Sequence, residues 1–323
     1  MGHRILYDSL IVGGGPAGLT AALQLARFNR HPAIFDSGMG RSTYHQINHN
    51  YLGFPGGIHA RELRELGREQ VRAYPVVFVD EAVVEVWRDG ELFVAQVESG
   101  EEFLGQTIVF ATGVRDHFPH FPNWEEFVGR SFFWCITCDG YKTRGKHIVV
   151  LGNDDDAGVT AMQFLQYTRR ITFLTNSPTC GISTKVQRAL EEQEIPIVVG
   201  EIGRIDGYDG IIGQIVLKDG RCVDLDYLFN LQGKTPNSEL AQQIGVEVDE
   251  HGYIQTDVDL HTNIPGALAA GDVTRLFAHQ IATAVHEGIT AACAANYYLY
   301  EPWQRHESYE EREARQAEVE EVA

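Results

Sequence analysis

Two cysteines two residues apart, Cys135 and Cys138, followed at once by Asp139 and Gly140, are the part of this chain best equipped for chemistry. A CxxC pair can close into a disulfide or open into a dithiol. A thiolate held near partial positive charge then attacks another disulfide. Asp139 supplies a carboxyl group able to give or take the proton that each exchange step moves. Zinc uses the same spacing, but normally with a second CxxC or a His pair. The remaining cysteines, Cys180, Cys222 and Cys293, are isolated in sequence and read as core thiols. The pattern points to redox chemistry, with metal binding or plain structural cysteines as the alternatives. Phe132, Phe133 and Trp134, just before the pair, read as an apolar wall against which a planar cofactor could lie.

A reactive pair needs elements to position it and a partner for its electrons. Residues 5–12 read as a buried strand, followed by Gly13-Gly14-Gly15-Pro16-Ala17-Gly18 and a helical run, 19–28. This is GxGxxG between a strand and a helix. Gly13 allows the turn, Gly15 lets the backbone approach a pyrophosphate, and Gly18 lets helix and strand pack closely. The helix N-terminus offers unpaired N–H groups to the phosphates. The strand 32–35 ends in Asp36, roughly 20 residues beyond the glycines, where an acid bonds a ribose hydroxyl. A glycine-rich turn without a ligand is the alternative.

Residues 40–57 form a polar, His-rich loop containing Arg41, His45, His49 and Asn50. Its histidines lack a third residue at metal-ligand spacing and read as surface or cofactor-contacting. Arg61, Arg64, Arg68 and Arg72 follow at helical spacing beside Glu62, Glu65 and Glu69. They form either a solvated face laced with ion pairs or a basic docking stripe. Residues 76–86, 92–97 and 107–110 read as strands, the last entering Ala111-Thr112-Gly113. The segment Phe118-Pro119-His120-Phe121-Pro122 reads as a linker.

After the cysteines the strand–turn–helix pattern recurs: a strand at 147–151, the turn Gly152-Asn153-Asp154-Asp155-Asp156-Ala157, a helix at 158–167 and a strand at 171–174. The second glycine of the phosphate turn is replaced by Asp154. The following strand ends in Thr175-Asn176-Ser177-Pro178, with no acid for a ribose and no arginine for a 2′-phosphate. The fold half is retained while its nicotinamide nucleotide site is erased; an unusual but working site is the alternative. Strands at 195–199, 214–217 and 227–231 continue this lobe. Ala270-Gly271-Asp272-Val273 then closes a strand against the helical stretch 280–298, whose start can point its dipole at a flavin oxygen. His286-Glu287 inside that helix is a minor candidate. Tyr297, Tyr298, Tyr300, Trp303 and Tyr309 precede a glutamate-rich run through Glu321 and fit a core, a dimer contact or a lid equally well.

The chain has 323 residues, 44% of them hydrophobic, which suits a globular α/β protein with two cores. With 26 basic and 45 acidic residues the net charge is −19, so nucleic acid is an unsuitable partner. No apolar run is long enough for a bilayer, and Met1-Gly2-His3-Arg4 leads into a strand without a signal-peptide pattern, so a cytoplasmic address is expected.

The glycine-rich turn at 13–18, Cys135-Ile136-Thr137-Cys138-Asp139-Gly140 and Ala270-Gly271-Asp272-Val273 together resemble low-molecular-weight thioredoxin reductases over nearly the whole chain to about Tyr300. The resemblance implies an α/β fold of two Rossmann-like, three-layer ββα domains. A discontinuous FAD domain (1–117 and 247–300) encloses a central domain (118–246) carrying the CxxC, with an acidic, aromatic tail at 301–323. It also implies a homodimer, FAD, and a dithiol or disulfide protein such as thioredoxin as partner. By motif position Cys138 faces the flavin, Cys135 attacks the substrate disulfide and Asp139 is the acid–base. Gly13, Gly15, Pro16, Ala17, Gly18, Asp36, Arg41, Asn50, Thr112, Gly113, Gly271, Asp272, Gln280 and Ile281 contact FAD. The acidic second turn is similar to the pyridine-nucleotide-independent branch, the ferredoxin-dependent flavin thioredoxin reductases and diflavin-linked disulfide oxidoreductases of cyanobacteria. That branch implies ferredoxin as a possible donor and room for a second FAD in place of NADPH.

The expected activity is therefore FAD-dependent dithiol–disulfide exchange without NADPH. Three other readings stay open at this stage: a flavin dithiol oxidase passing electrons to oxygen, an atypical NADPH-dependent thioredoxin reductase, and a flavin-binding protein without turnover.

Overall fold

A computed structural model describes residues 5–44, 46–119, 121, 123–275 and 277–306. His45, the linker residues His120 and Pro122, the first four residues and the tail from 307 on, with Tyr309 and Glu321, lie outside the described residues. The chain divides into two compact units, Met1–Gly38 with Gly67–Gly113 and Ser238–Ala323, and Met39–Leu66 with Val114–Asn237.

The first unit is built on parallel strands that are apolar on both faces. Leu10, Ile11, Ala33, Ile34, Ile108 and Val109 are fully buried, as strands covered on both sides must be. In sheet order the strands are Val77–Val79, Pro32–Phe35, Leu6–Val12, Glu102–Phe110, Leu92–Val97 and Val83–Asp89, with Ala267–Ala269 also pairing on Glu102–Phe110. The register sets Leu10 opposite Ala33 and Ile108. The helices Pro16–Arg27 and Ile281–Tyr298 cover one face through small side chains, among them Ala21, Ala22, Ala291 and Ala295. A Cβ on Gly288 would lie 2.3 Å from the Ala17 carbonyl oxygen, so that position must be glycine for the two helices to approach so closely. The strand expected over 76–86 is two strands, separated at 80–82 where the chain turns to the antiparallel pair.

The second unit has three layers. Its central sheet is parallel, in the order Phe132–Phe133, Tyr227–Asn230, Ile148–Leu151, Ile171–Leu174 and Ile197–Val198. Val149, Leu151 and Leu174 face an antiparallel sheet of Ile202–Tyr208, Ile211–Leu217 and Cys222–Asp224. Ile148, Val150 and Phe173 face the helices Asp155–Gln163 and Thr184–Glu192. This is the ββα arrangement that the resemblance implies. The strand Ile202–Tyr208 is not legible in sequence because two glycines interrupt it. Its register shifts between Asp206 and Gly207, where a Cβ on Gly207 would meet the Ile211 carbonyl oxygen at 2.4 Å. The helix expected at 158–167 begins earlier, at Asp155, and ends in a 3₁₀ turn, Phe164–Gln166.

Candidate active site

Strand Phe132–Phe133 delivers the chain to the cysteine pair, and the short helix Ile136–Asp139 holds it. Cys135 and Cys138 are joined as a disulfide, S–S 2.07 Å, half-buried at the surface of the second unit. The Cys138 backbone N–H donates to Cys135 Sγ at 3.1 Å. That amide places partial positive charge on the sulfur, the condition that favours its thiolate once the bond opens. Gly140 is required behind the pair, because a Cβ there would lie 2.7 Å from the Tyr167 ring. Among the described residues no group of three or more His, Cys, Asp or Glu is placed to hold a metal ion.

Asp139 is buried, with Lys142 Nζ 2.7 Å from its carboxylate. Burial raises its pKa above the ordinary carboxylate range, while Lys142 and the field of His49 pull it back down. A carboxyl group so balanced can exchange a proton with the neighbouring sulfurs. Asp139→Asn is expected to slow disulfide exchange about 10²-fold and to flatten the limb of the pH–rate profile that this carboxyl produces. The effect on stability has a definite sign. A carboxyl raised by folding binds its proton more tightly in the folded state, so its contribution is complete below the unfolded value and lost as pH rises through the folded one. Asp139→Asn removes that loss, readable as a smaller fall of the urea midpoint with rising pH.

Two expectations about this region are corrected. Phe132 and Phe133 are not an exposed wall: both are fully buried core residues of the central sheet, because a strand within this layer is covered on both faces. Trp134 instead packs edge-on to Tyr44 and Phe118, at centroid distances of 5.3 and 5.7 Å. Nor are the other cysteines all core thiols: Cys180 packs at the edge of a core, whereas Cys222 and Cys293 are exposed.

The glycine turn of the first unit is a closed backbone junction with open space at one point. A Cβ on Gly13 would lie 2.2 Å from the Ala111 carbonyl oxygen and 3.2 Å from the Thr112 nitrogen, and one on Gly18 would lie 1.8 Å from the Gly13 oxygen. These glycines answer to packing. Gly15 has nothing within 4 Å of the same position, so no protein atom accounts for it, as expected of backbone that a ligand approaches; Gly113 is also open, but its φ of 66° already calls for glycine. Gly15 caps the helix Pro16–Arg27 without a side-chain bond, and Pro16 takes the first helical position. Gly271 comes in from the other side: a Cβ there would lie 3.0 Å from the Ala17 Cβ and 3.8 Å from that of Ala284. Gln280 and Ile281 begin the helix Ile281–Tyr298. Gly13, Ala17, Gly18, Asp36, Thr112 and Gly271 are thus brought together in one unit. The open backbone at Gly15, an uncapped helix start and the flanking acids fit a dinucleotide's pyrophosphate and ribose. Arg41 and Asn50 belong to the other unit, where Arg41 Nε donates to Asp116 at 2.8 Å.

Asp36 is buried and already engaged. Arg68 Nη1 donates to its Oδ2 at 2.7 Å and the Gly38 N–H to its Oδ1 at 2.9 Å. Arg68 also pairs with Asp80 at 2.5 Å, and its guanidinium lies 4.9 Å from the centre of the Phe78 ring. This overturns the docking-stripe reading of the arginines. Arg68 is 4% exposed, Arg64 pairs with Glu65 at 2.9 Å, Arg61 donates to the Thr43 carbonyl, and Arg72 stacks over Phe78. Along this face Arg68 is buried and Arg64 half-buried, while Arg61 and Arg72 stay exposed but are tied to the chain's own groups.

Glu287, not His286, is the structural residue of its helix. It is buried, accepts the Gly271 N–H at 2.6 Å and faces the Arg275 guanidinium. Burial raises its pKa, opposed by the Gly271 bond and Arg275. It holds the Gly271–Asp272 turn against the helix. The buried spacing within an alanine-rich helix was the signal that could have found it.

The second turn shows why its acids are there. Asp154 is the N-cap of helix Asp155–Gln163, its Oδ1 accepting the Ala157 N–H at 2.8 Å. Asp155 Oδ1 accepts the Ser183 N–H at 2.6 Å, a bond that lowers its pKa, and Asn153 Oδ1 accepts the Gly181 N–H at 2.7 Å. The helix N-terminus that a phosphate would occupy is filled by the chain's own carboxylate. Asp154→Ala is expected to cost about 1 kcal/mol, read as a lower denaturation midpoint.

The profile of the pyridine nucleotide-disulphide oxidoreductases matches residues 7–288. A thioredoxin reductase of Treponema pallidum is 29% identical over 301 residues, 91% of this chain and 97% of its own. A bifunctional thioredoxin reductase/thioredoxin of Mycobacterium leprae is 27% identical, over 93% of this chain and 67% of its own. The crystal structure of thioredoxin reductase from Streptococcus pyogenes superposes with a TM-score of 0.84 at 27% identity, covering 91% of this chain and 98% of that one. With its cysteine pair, its glycine junction and this match along most of its length, the chain belongs to the pyridine nucleotide-disulphide oxidoreductase family, among its thioredoxin reductase-like members.

Proposed function

We propose that this protein is an FAD-dependent dithiol–disulfide oxidoreductase that exchanges electrons with a protein disulfide, such as that of thioredoxin, and does not take them from NADPH. The observation that carries the reading is the Asp154 carboxylate on the Ala157 N–H, at 2.8 Å, where the nicotinamide nucleotide's pyrophosphate would sit. Thioredoxin as partner is supported by the names of the relatives, one of which is a reductase and thioredoxin in one chain.

FAD, when bound, supplies the two-electron chemistry. Gly15 and the start of helix Pro16–Arg27 would hold its pyrophosphate, Asp36 a ribose hydroxyl and Asp272 the ribityl chain. In the dithiol state, the Cys135 thiolate attacks the substrate disulfide, forming a mixed disulfide and releasing the first substrate thiolate. Cys138 then attacks Cys135 Sγ, closing the Cys135–Cys138 bond and releasing the second. The substrate gains two electrons and the pair loses two. Asp139 carries the protons between the sulfurs and water. A homodimer in the cytoplasm is part of the same proposal, as is ferredoxin or a dithiol as the electron source.

The test is one anaerobic titration of the purified holoprotein, with flavin per chain counted first, against NADPH, reduced ferredoxin and dithiols. Bleaching by a dithiol or ferredoxin with none by NADPH is expected. Stoichiometric bleaching by NADPH overturns the reading. Rapid reoxidation by oxygen during dithiol turnover would shift it to a dithiol oxidase.

A further inference from the structure

In a chain of net charge −19, residues 140–153 and 157–184 contain no carboxylate, yet they carry Lys142, Arg144, Lys146, Arg169 and Arg170. The fold gathers these cations at one place. The Lys146 carbonyl accepts from Thr168 Oγ1 at 2.7 Å, and the Ile148 N–H donates to the Arg170 carbonyl at 2.9 Å. The two segments therefore run side by side at the start of the central strands, away from the Asp154 turn at the strands' other end. Tyr167 ties them to the cysteine turn, since its ring packs against Gly140, two residues after Cys138.

Two of the five cations are partly neutralised, Lys142 by Asp139 at 2.7 Å and Lys146 by Asp226 at 3.6 Å. Asp224 is the other carboxylate nearby, exposed on its strand. Arg144, Arg169 and Arg170 are exposed and form no ion pair among the described residues. Arg144 is held in place by Tyr141, which is 72% exposed; its Nη1 donates to the Tyr141 hydroxyl at 2.8 Å and its guanidinium lies 5.1 Å from the centre of the ring. Exposed arginines are no burden on an acidic protein, but three of them without ion pairs among the described residues, on segments that Tyr167 ties to the cysteine turn, leave a patch of positive field there. They supply the local field of opposite sign that lets an acidic partner approach against the repulsion of the whole molecule.

We infer that the surface of Arg144, Arg169 and Arg170 docks an acidic redox protein, which presents its own disulfide or dithiol to Cys135–Cys138. This rests on the exchange reaction proposed above and names the class of partner it serves. The partner is a protein rather than a small disulfide because the arginines extend the recognition surface beyond the sulfurs, along two chain segments.

The test uses holoprotein reduced with one equivalent of dithionite and mixed in a stopped-flow cell with either of two oxidants. One is an acidic oxidised thioredoxin, the other uncharged 2-hydroxyethyl disulfide. The triple variant R144E/R169E/R170E is expected to lose at least about 30-fold in its second-order rate with thioredoxin at low salt. Its rate with hydroxyethyl disulfide should change by less than about twofold, since steering acts on charged partners only. The wild-type rate with thioredoxin should fall as salt rises, and the variant's should not. The glutamine versions of the same three positions should give an intermediate loss, which keeps the result readable if charge reversal disturbs folding. Equal losses on both oxidants, an unchanged thioredoxin rate, or a salt-insensitive wild type each overturn the docking surface. So does a variant slowed only in accepting electrons from an acidic one-electron carrier. A wild type that reduces neither oxidant overturns the exchange reaction itself, and the docking surface with it.

Discussion

Cys138→Ser is expected to abolish turnover with disulfides, to below about 10⁻⁴ of wild type, because removing a nucleophile that acts as part of a unit costs nearly the whole catalytic effect. Flavin content should be unchanged, since the pair lies in the second unit and the glycine junction in the first. The informative product is the stalled one. If Cys135 makes the attack, the reduced Cys138→Ser protein still opens a substrate disulfide but has no second thiol to expel it. Mass spectrometry should then find one partner chain linked to Cys135 and one thiol equivalent released. Cys135→Ser should yield neither. An adduct that forms on Cys138 in Cys135→Ser, and not on Cys135 in Cys138→Ser, reverses the two roles.

Millimolar NADPH is expected to reduce the protein at least about a thousand times more slowly than a dithiol does. The physical basis is a charge already in place. Two unit charges 4 Å apart at an effective dielectric near 20 repel by about 4 kcal/mol, which is about three powers of ten in affinity. Asp154 sits on the Ala157 N–H, and Asp155 is committed to the Ser183 N–H. A pyrophosphate arriving there would have to displace a hydrogen-bonded carboxylate as well as face its charge. Asp154→Gly should relieve part of the repulsion without restoring turnover, because the loop after strand Ile171–Leu174 still has no arginine to receive a 2′-phosphate. Fast NADPH oxidation by the wild type would end the argument.

The sequence was most legible where a single residue type is forced by geometry. Gly13 could be read as the turn glycine, Gly18 as the packing glycine and Gly15 as the approach glycine, because a βαβ turn leaves few alternatives. The cysteine pair was legible for a different reason: its chemistry depends on spacing along the chain alone. What failed to read were features that depend on which face of an element meets the core. Arg68 has the spacing of a solvent-facing stripe, yet the helix turns it inward, where Asp36 and Phe78 meet it. Phe132 and Phe133 look like a wall for a ligand until the strands on either side are known. Asp154 to Asp156 read as carboxylates set against a phosphate, but their local purpose as a cap and a loop tie was invisible, because Ser183 is 28 residues from Asp155. The cations from 142 to 170 went unread for the same reason: only the pairing of two strand starts makes them neighbours.

The exposure of Cys222 and Cys293 bears on anyone who counts sulfhydryls in this protein. With the pair closed, an alkylating reagent will still find Cys222 at once, Cys293 more slowly because burial raises its thiol pKa, and Cys180 from the edge of its core. A total count therefore measures the bystanders along with the redox pair. Only the difference between reduced and oxidised samples, or a background in which those two surface positions are serine, isolates the equivalents that belong to the pair. The same two sulfurs offer anchor points for labels, one in each unit.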